Sequence, residues 1–141
     1  MINIVYKPIG IIHLPFTKIE DTSIQPSSAN GIRGHIEMDN GYDEALCNLD
    51  SFSHFYLLYH LHLSKSFDLK VKPFLDNQHR GVFSTSAPRR PNPIGLSVVK
   101  LIKIENNTIE IENVDIIDGT PLLDIKPYVQ EMNEVKQYRI G

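Results

Sequence analysis

The chain has 141 residues, 41% hydrophobic and 22% charged, with a net charge of −3. These values suit one soluble globular domain and exclude collagen-like, disulfide-scaffold and wholly disordered chains. A domain of this size buries about 68–70% of its unfolded surface and needs no disulfide to fold.

No run of about 18 apolar residues occurs, so no transmembrane helix and no membrane association are expected. Met1 to Pro8 lacks the charged start and small-residue cleavage site of a signal peptide. The lone Cys47 cannot form an internal disulfide and points to a reducing compartment, the cytoplasm.

In chain order, Val5 to Leu14 is β-branched and apolar but interrupted by Pro8 and Gly10, which predicts an edge or bent strand. Glu20 to Gly34 is polar and reads as a long loop. Ile32 to Met38 predicts a short strand, and Asn40-Gly41 a turn. Tyr42 to Leu49 predicts two helical turns, with Asp43 and Glu44 early enough to complement the dipole.

Phe52 to Leu63 predicts a strand with two unlike faces. Phe55, Leu57, Tyr59, Leu61 and Leu63 form a core face; His54, Tyr56, Leu58, His60 and His62 form a mixed one, as in a strand lining a pocket or interface. Ser64 to Arg80 reads as irregular and Gly81-Val82-Phe83 as a short strand. Leu96 to Ile104 is a strong strand pattern, Glu105-Asn106-Asn107 a tight turn, and Thr108 to Glu112 alternates isoleucines in with glutamates out. Val114 to Ile117 and Leu122 to Ile125 predict two more strands around the turn Asp118-Gly119-Thr120-Pro121, and residues 128–141 form a tail. Short strands at close spacing with little helix predict an all-β, mainly antiparallel fold: one sheet closed into a barrel with short helical and loop insertions, in a single domain over 1–141.

Charge is uneven. Between Lys65 and Lys103 lie eight basic residues and only Asp68 and Asp76, so this stretch is basic on an acidic body. It reads either as an anion-facing surface or as a solvated loop region. Arg89-Arg90-Pro91-Asn92-Pro93-Ile94-Gly95 is stiffened by its prolines. A stiff loop presenting two guanidinium groups and an amide favours recognition of a planar or phosphorylated ligand over a bare structural bridge.

His60 and His62 have a metal-binding spacing on one side of a strand. No further ligand follows closely, so hydrogen-bonded histidines are favoured and no metal is expected. Asp118 is either a turn aspartate or an acid at a strand end, and Asp115 and Asp124 can share either role. These features alone leave enzyme and binding module both open.

Several strings together resemble the TrmO family. They are Gly81-Val82-Phe83-Ser84-Thr85, Arg90-Pro91-Asn92-Pro93-Ile94-Gly95-Leu96-Ser97, and Asp118-Gly119-Thr120-Pro121 with Asp124-Ile125-Lys126-Pro127-Tyr128; Pro8-Ile9-Gly10 and Phe52-Ser53-His54 fit as well. The resemblance runs from about Tyr6 to Tyr128. It implies a single-sheet β-barrel that uses S-adenosyl-L-methionine to methylate N6 of threonylcarbamoyladenosine, next to the anticodon of tRNA. It also implies a homodimer with cofactor pockets near the subunit interface. Longer members carry a further C-terminal domain, which is not expected here.

Carried over by position, the resemblance assigns the cofactor pocket to Ser23, Ile24, Gln25, His62, Leu63, Ser86, Leu96, Ile117, Asp118, Gly119 and Thr120. Ser23 stands where the family usually has proline, and Ser86 where it commonly has arginine, for which Arg89 is a candidate replacement. Asp118 and His54 are the candidate bases, with Asn92 beside the reacting groups. Arg89, Arg90 and Asn92 are expected to hold RNA or the threonyl carboxylate, and Lys70, Lys72 and Arg80 the tRNA backbone. The alternatives are a module that binds the cofactor without methylating, and a metal-dependent barrel enzyme using His60 and His62.

Overall fold

Period-two alternation of apolar residues builds the molecule. The computed structural model describes residues 2–14, 32–73, 75–112, 114–129, 135 and 137–139. The strands are β1 (Gly10–His13), β2 (Arg33–Met38), β3 (His54–His60), β4 (Lys70–Val71), β5 (Arg80–Gly81), β6 (Ile94–Glu105), β7 (Thr108–Glu112) and β8 (Thr120–Pro127). Six of them close into a barrel in the order β1-β2-β7-β6-β3-β8, with β8 returning to β1. Every neighbouring pair is antiparallel. β4 and β5 form a separate two-stranded ribbon.

The inward residues of each strand make the core. Ile12, Ile36, Phe55, Leu57, Val99, Ile109, Ile111 and Leu122 are wholly buried. Six strands must curve tightly to close, and two register shifts supply local bending, one at Leu58/Tyr59 in β3–β8 and one at Leu101/Lys103 in β6–β7. The β6–β7 hairpin turns on Asn106, which takes the left-handed conformation (φ 56°) that asparagine tolerates. Asn107 ties this hairpin to β2: its side-chain amide donates to the Met38 carbonyl (3.0 Å), and the Met38 amide donates to the Asn107 carbonyl (2.9 Å).

The expected barrel is the one observed, with differences in detail. Tyr42 to Leu49 forms tight 3-10 turns at Asp43–Leu46 and Leu49–Ser51 rather than an α-helical segment. Gly81-Val82-Phe83 is strand only at Gly81; Val82–Ser84 is a 3-10 turn in which Val82 is buried. Val114 to Ile117 alternates as expected, with Val114 and Ile116 buried, but it is not a ladder strand. It crosses one end of the barrel and leads through Asp118 and Gly119 into β8. The expected strand at Leu122 to Ile125 extends over all of Thr120–Pro127. The family-implied residues Ser23, Ile24 and Gln25 lie outside the described residues.

Candidate functional site

Where β3 ends, three distant parts of the chain converge. The turn after β3 brings Leu61 to Ser66, the proline-rich loop brings Pro88 and Arg89, and the crossing segment brings Asp115 to Ile117. Together with Tyr59 and Thr120 they line a cleft of about 530 Å³.

Hydrogen bonds lace these parts together. The Leu61 amide donates to the Pro93 carbonyl (2.8 Å), the Ser64 hydroxyl to the Pro88 carbonyl (2.9 Å) and Arg89 Nη2 to Ser66 Oγ (2.7 Å). Arg89 also faces Asp68, with Nε 3.6 Å from the carboxylate. The cleft therefore has a preformed wall, which limits the entropy lost when a ligand binds.

Tyr59 forms part of that wall and is itself fixed. Its hydroxyl lies 2.7 Å from Ser97 Oγ, and its ring lies across Gly95 so closely that a β-carbon there would sit 2.2 Å from a ring carbon. Glycine at 95 is thus a requirement of the tyrosine's position. Burial pushes the Tyr59 phenol up, its hydrogen bond to Ser97 pulls the other way, and the Asp115 charge adds to the rise. Burial also pushes the Asp115 carboxyl up. His62 is held below the ordinary imidazole range by burial first, then by His60 and Lys65, which favours its neutral form at neutral pH. Its Nδ1 lies 3.4 Å from Thr120 Oγ1, and that hydroxyl donates to the Ile117 carbonyl (2.6 Å).

Of the residues expected at the cofactor pocket, His62, Leu63, Ile117 and Thr120 line the cleft, as does Arg89 from the substrate group. Asp118 does not line it. Its Oδ1 accepts the Leu14 amide (2.8 Å) and lies 3.6 Å from His13 Nδ1, so the carboxylate braces β1 instead of facing the cleft. Gly119 makes the turn, with φ 84° and its amide bonded to the Ile12 carbonyl (2.9 Å).

His54 sits at the other end of β3, roughly 20 Å along the strand from His60, with Nδ1 2.8 Å from Ser53 Oγ. Leu96 points outward from β6 and is 62% exposed. Ser86 and Asn92 are exposed in the loop and do not line the cleft. Arg90 folds back on that loop, its Nη1 bonded to the carbonyls of Thr85 (3.0 Å) and Ala87 (2.9 Å). It rigidifies the segment that carries Arg89.

Lys70, Lys72 and Arg80 fall together on and beside the β4–β5 ribbon, with exposed Phe67, Leu69 and Phe83 nearby. Arg80 is bonded to Asp76 through Nε (2.6 Å). Among the described residues no cluster of His, Cys, Asp or Glu has the geometry to hold a metal ion, so His60 and His62 gather no further ligands there.

Sequence reasoning missed Tyr59, Lys65 and Ile116 as cleft residues, and it gave Asp115 only the same two open roles as Asp118 without placing it in the cleft. Tyr59 and Ile116 follow the core alternation of their segments, and only the closed barrel shows that they lie at its open end.

The geometry agrees with what comparison finds. A family model, the tRNA-methyltransferase O N-terminal domain, matches residues 11–134. A probable S-adenosyl-L-methionine-binding protein of Pyrococcus abyssi is 49% identical over 98% of this chain and 75% of its own length. A tRNA (adenine(37)-N6)-methyltransferase of Mus musculus is 38% identical over 92% of this chain and 32% of its own. Among solved structures, TrmO from Pseudomonas aeruginosa superposes with a TM-score of 0.82 at 37% identity, over 99% of this chain and 62% of that one. The chain thus spans about a third of the mouse relative and less than two thirds of the solved structure.

Proposed function

The chain belongs to the tRNA-methyltransferase O N-terminal domain family, and on that premise we propose that it is an S-adenosyl-L-methionine-dependent methyltransferase acting on N6 of an adenosine in tRNA, with threonylcarbamoyladenosine beside the anticodon as the acceptor. The observation that carries the reading is the cleft at the end of β3. Its volume of about 530 Å³ lies within the range of small-molecule sites, roughly 300–1,000 Å³. Its walls are mainly apolar and also carry Asp115, Lys65 and Arg89. That donor set fits a cofactor that joins a nucleoside to a zwitterionic amino acid and bears a positive charge between them.

In this reading Tyr59, Leu63 and Ile117 provide apolar contact, and neutral His62 with Thr120 provides hydrogen bonds. Lys65 and Arg89 suit the amino-acid carboxylate. The bound cofactor supplies an electrophilic methyl group. The chain's own part is to hold donor and acceptor in register and exclude water, an effect that reaches roughly 7–11 kcal/mol in favourable systems.

Lys70 and Lys72 on the ribbon, with Phe67 and Phe83 exposed beside them, suit contact with the phosphates and unstacked bases of an RNA loop. The outward stripe Ile94, Leu96 and Val98 supports a homodimer. With no membrane-spanning helix among the described residues, the reading places the protein with its tRNA in the cytoplasm.

The test is methyl transfer from labelled S-adenosyl-L-methionine to tRNA with and without the threonylcarbamoyl group, followed by nucleoside mass analysis. Transfer to the threonylcarbamoylated tRNA alone is expected. Transfer to the unmodified tRNA instead would overturn the acceptor assignment. Cofactor binding with no transfer to either would favour a binding module, the reading suggested by the name of the Pyrococcus abyssi relative, a probable S-adenosyl-L-methionine-binding protein.

A further inference from the structure

Most of the acidic side chains that line strands and loops here have partners. Asp118 holds the Leu14 amide, Asp76 holds Arg80, Asp124 caps the Ile125 amide and faces Lys126, and Asp68 faces Arg89. Asp115 differs. It is half-buried in the cleft wall, and among the described residues its carboxylate makes no hydrogen bond or ion pair. The local backbone explains its direction. Val114 and Ile116 are buried in the core, so the alternation of an extended segment turns Asp115 the other way, into the cleft.

A partly desolvated carboxylate without a partner is unfavourable in the free protein. The desolvation is reflected in its raised pKa. Such a group is compensated when a cation arrives. Lys65 and Arg89 line the same cleft, but neither pairs with Asp115, and Arg89 is already bonded to Ser66 and Asp68.

We propose that Asp115 is the residue that recognises the sulfonium charge of S-adenosyl-L-methionine, and so separates the charged methyl donor from its neutral thioether product. The inference rests on the cofactor reading above and names one charge contact within it. An α-ammonium is the other cation this cofactor carries, but it presents three N–H donors and needs several acceptors. The other polar groups of the cleft are already engaged: the Ile117 carbonyl accepts from Thr120, the Tyr59 hydroxyl is bonded to Ser97, and the Ser64 and Ser66 hydroxyls are bonded to the Pro88 carbonyl and to Arg89, while Leu61 presents an apolar side chain. A sulfonium has no N–H. Its charge is spread over sulfur and the attached carbons, and it is satisfied by one carboxylate together with apolar and aromatic surface. Tyr59 supplies that aromatic surface, and the Asp115 charge is felt at its phenol.

The experiment is calorimetric titration of the full chain with S-adenosyl-L-methionine and, separately, with S-adenosyl-L-homocysteine. The two ligands share the nucleoside, the ammonium and the carboxylate and differ only in the methyl group and its charge. The wild type is expected to favour the sulfonium ligand. Asp115→Asn should weaken that ligand about tenfold and change the thioether less than about twofold. Asp115→Glu, which keeps the charge, should retain the preference in part.

Parallel losses for both ligands would place the charge on the ammonium and overturn the proposal, as would no loss for either. A melting curve of each ligand-free variant checks that it folds, and Asp115→Asn should melt no lower than the wild type because it removes an uncompensated charge. Failure of the wild type itself to bind either ligand is a separate result: it overturns the cofactor reading and this inference with it.

Discussion

Two outer faces of one barrel obey different rules. On β2 and β7 the outward positions are polar: Arg33 faces Glu112 (Nε to carboxylate, 3.4 Å), and His35 stacks at 4.9 Å on His13 of β1, which lies 3.3 Å from Glu37. On the middle of β3 and the first half of β6 the outward positions are apolar or aromatic. The register sets Leu58 opposite Leu96 and Tyr56 opposite Val98, and Tyr128 packs on Tyr56 at 5.6 Å. Ile94, Leu96 and Val98 remain exposed. Both faces surround the same core, so the core does not dictate the difference. A solvated strand alternates apolar with polar residues, and β6 departs from this where its outer face is suited to another protein surface.

The sharpest way to break the contrast is to charge the apolar face. Leu96→Glu is expected to dissociate the proposed homodimer, shifting the mass seen by light scattering to that of one chain and abolishing methyl transfer if the cleft needs its neighbour. Glu37→Lys on the polar face should leave the mass unchanged. A wild type that is already monomeric, or a Leu96→Glu protein that is still dimeric, would remove the functional meaning of the difference.

The next test works from the inner side of the same strand. Gly95 lies between outward Ile94 and Leu96 and receives the Tyr59 ring. Gly95→Ala places a β-carbon 2.2 Å from that ring, so tyrosine, strand or both must move. Urea denaturation should show a loss of about 1–3 kcal/mol, and S-adenosyl-L-methionine should bind more weakly because Tyr59 lines the cleft. An unchanged stability would mean that the ring relocates freely, and its role as a fixed wall would fall.

These two residues also show what was legible in the sequence. Alternation in Thr108 to Glu112 placed β7 to the residue, and alternation in Phe52 to Leu63 placed Phe55, Leu57 and Tyr59 inward. Such patterns record which way a side chain points, because each depends only on neighbours two positions away. They do not record pairing. Val114 to Ile117 alternates as a strand does, yet closure of the barrel brings β1 and β3 onto β8 and leaves this segment outside the ladder.

The cleft was legible only in pieces for the same reason. His62, Ile117 and Thr120 were reached through a family resemblance that follows local strings. Asp118, in the most distinctive of those strings, bonds Leu14 at the end of the neighbouring strand β1. Asp115, three residues earlier, faces the cleft. No spacing rule separates the two carboxylates, whereas their long-range contacts do.

Asp118 therefore belongs with the polar face, and its replacement should act on stability. Asp118→Ala removes the acceptor of the Leu14 amide and a neighbour of His13. The loss expected in urea denaturation is about 1 kcal/mol, that of one partly exposed hydrogen bond. Affinity for S-adenosyl-L-methionine should fall much less than it does for Asp115→Asn. A variant of wild-type stability with no cofactor affinity would instead give Asp118 a direct part in the site.

The smallest effect is expected where the polar face looks most strongly tied. Arg33 and Glu112 lie directly opposite each other in the β2–β7 register, and the ion pair suggests a clasp. Arg33 is 68% exposed, however, and water screens its charge. An exposed pair of this kind contributes about 0–1 kcal/mol, because the attraction is weakened by solvent and opposed by the entropy of holding two long side chains still. Arg33→Gln should shift the urea midpoint by an amount equivalent to less than about 0.5 kcal/mol, and the shift should shrink further in high salt. A loss several times larger would mean that the polar face is held by its charges. The β2–β7 seam is instead held by the wholly buried Ile36, Ile109 and Ile111 beneath it, so the charges outside them keep that face soluble and unpaired while the stripe on β6 stays available for contact.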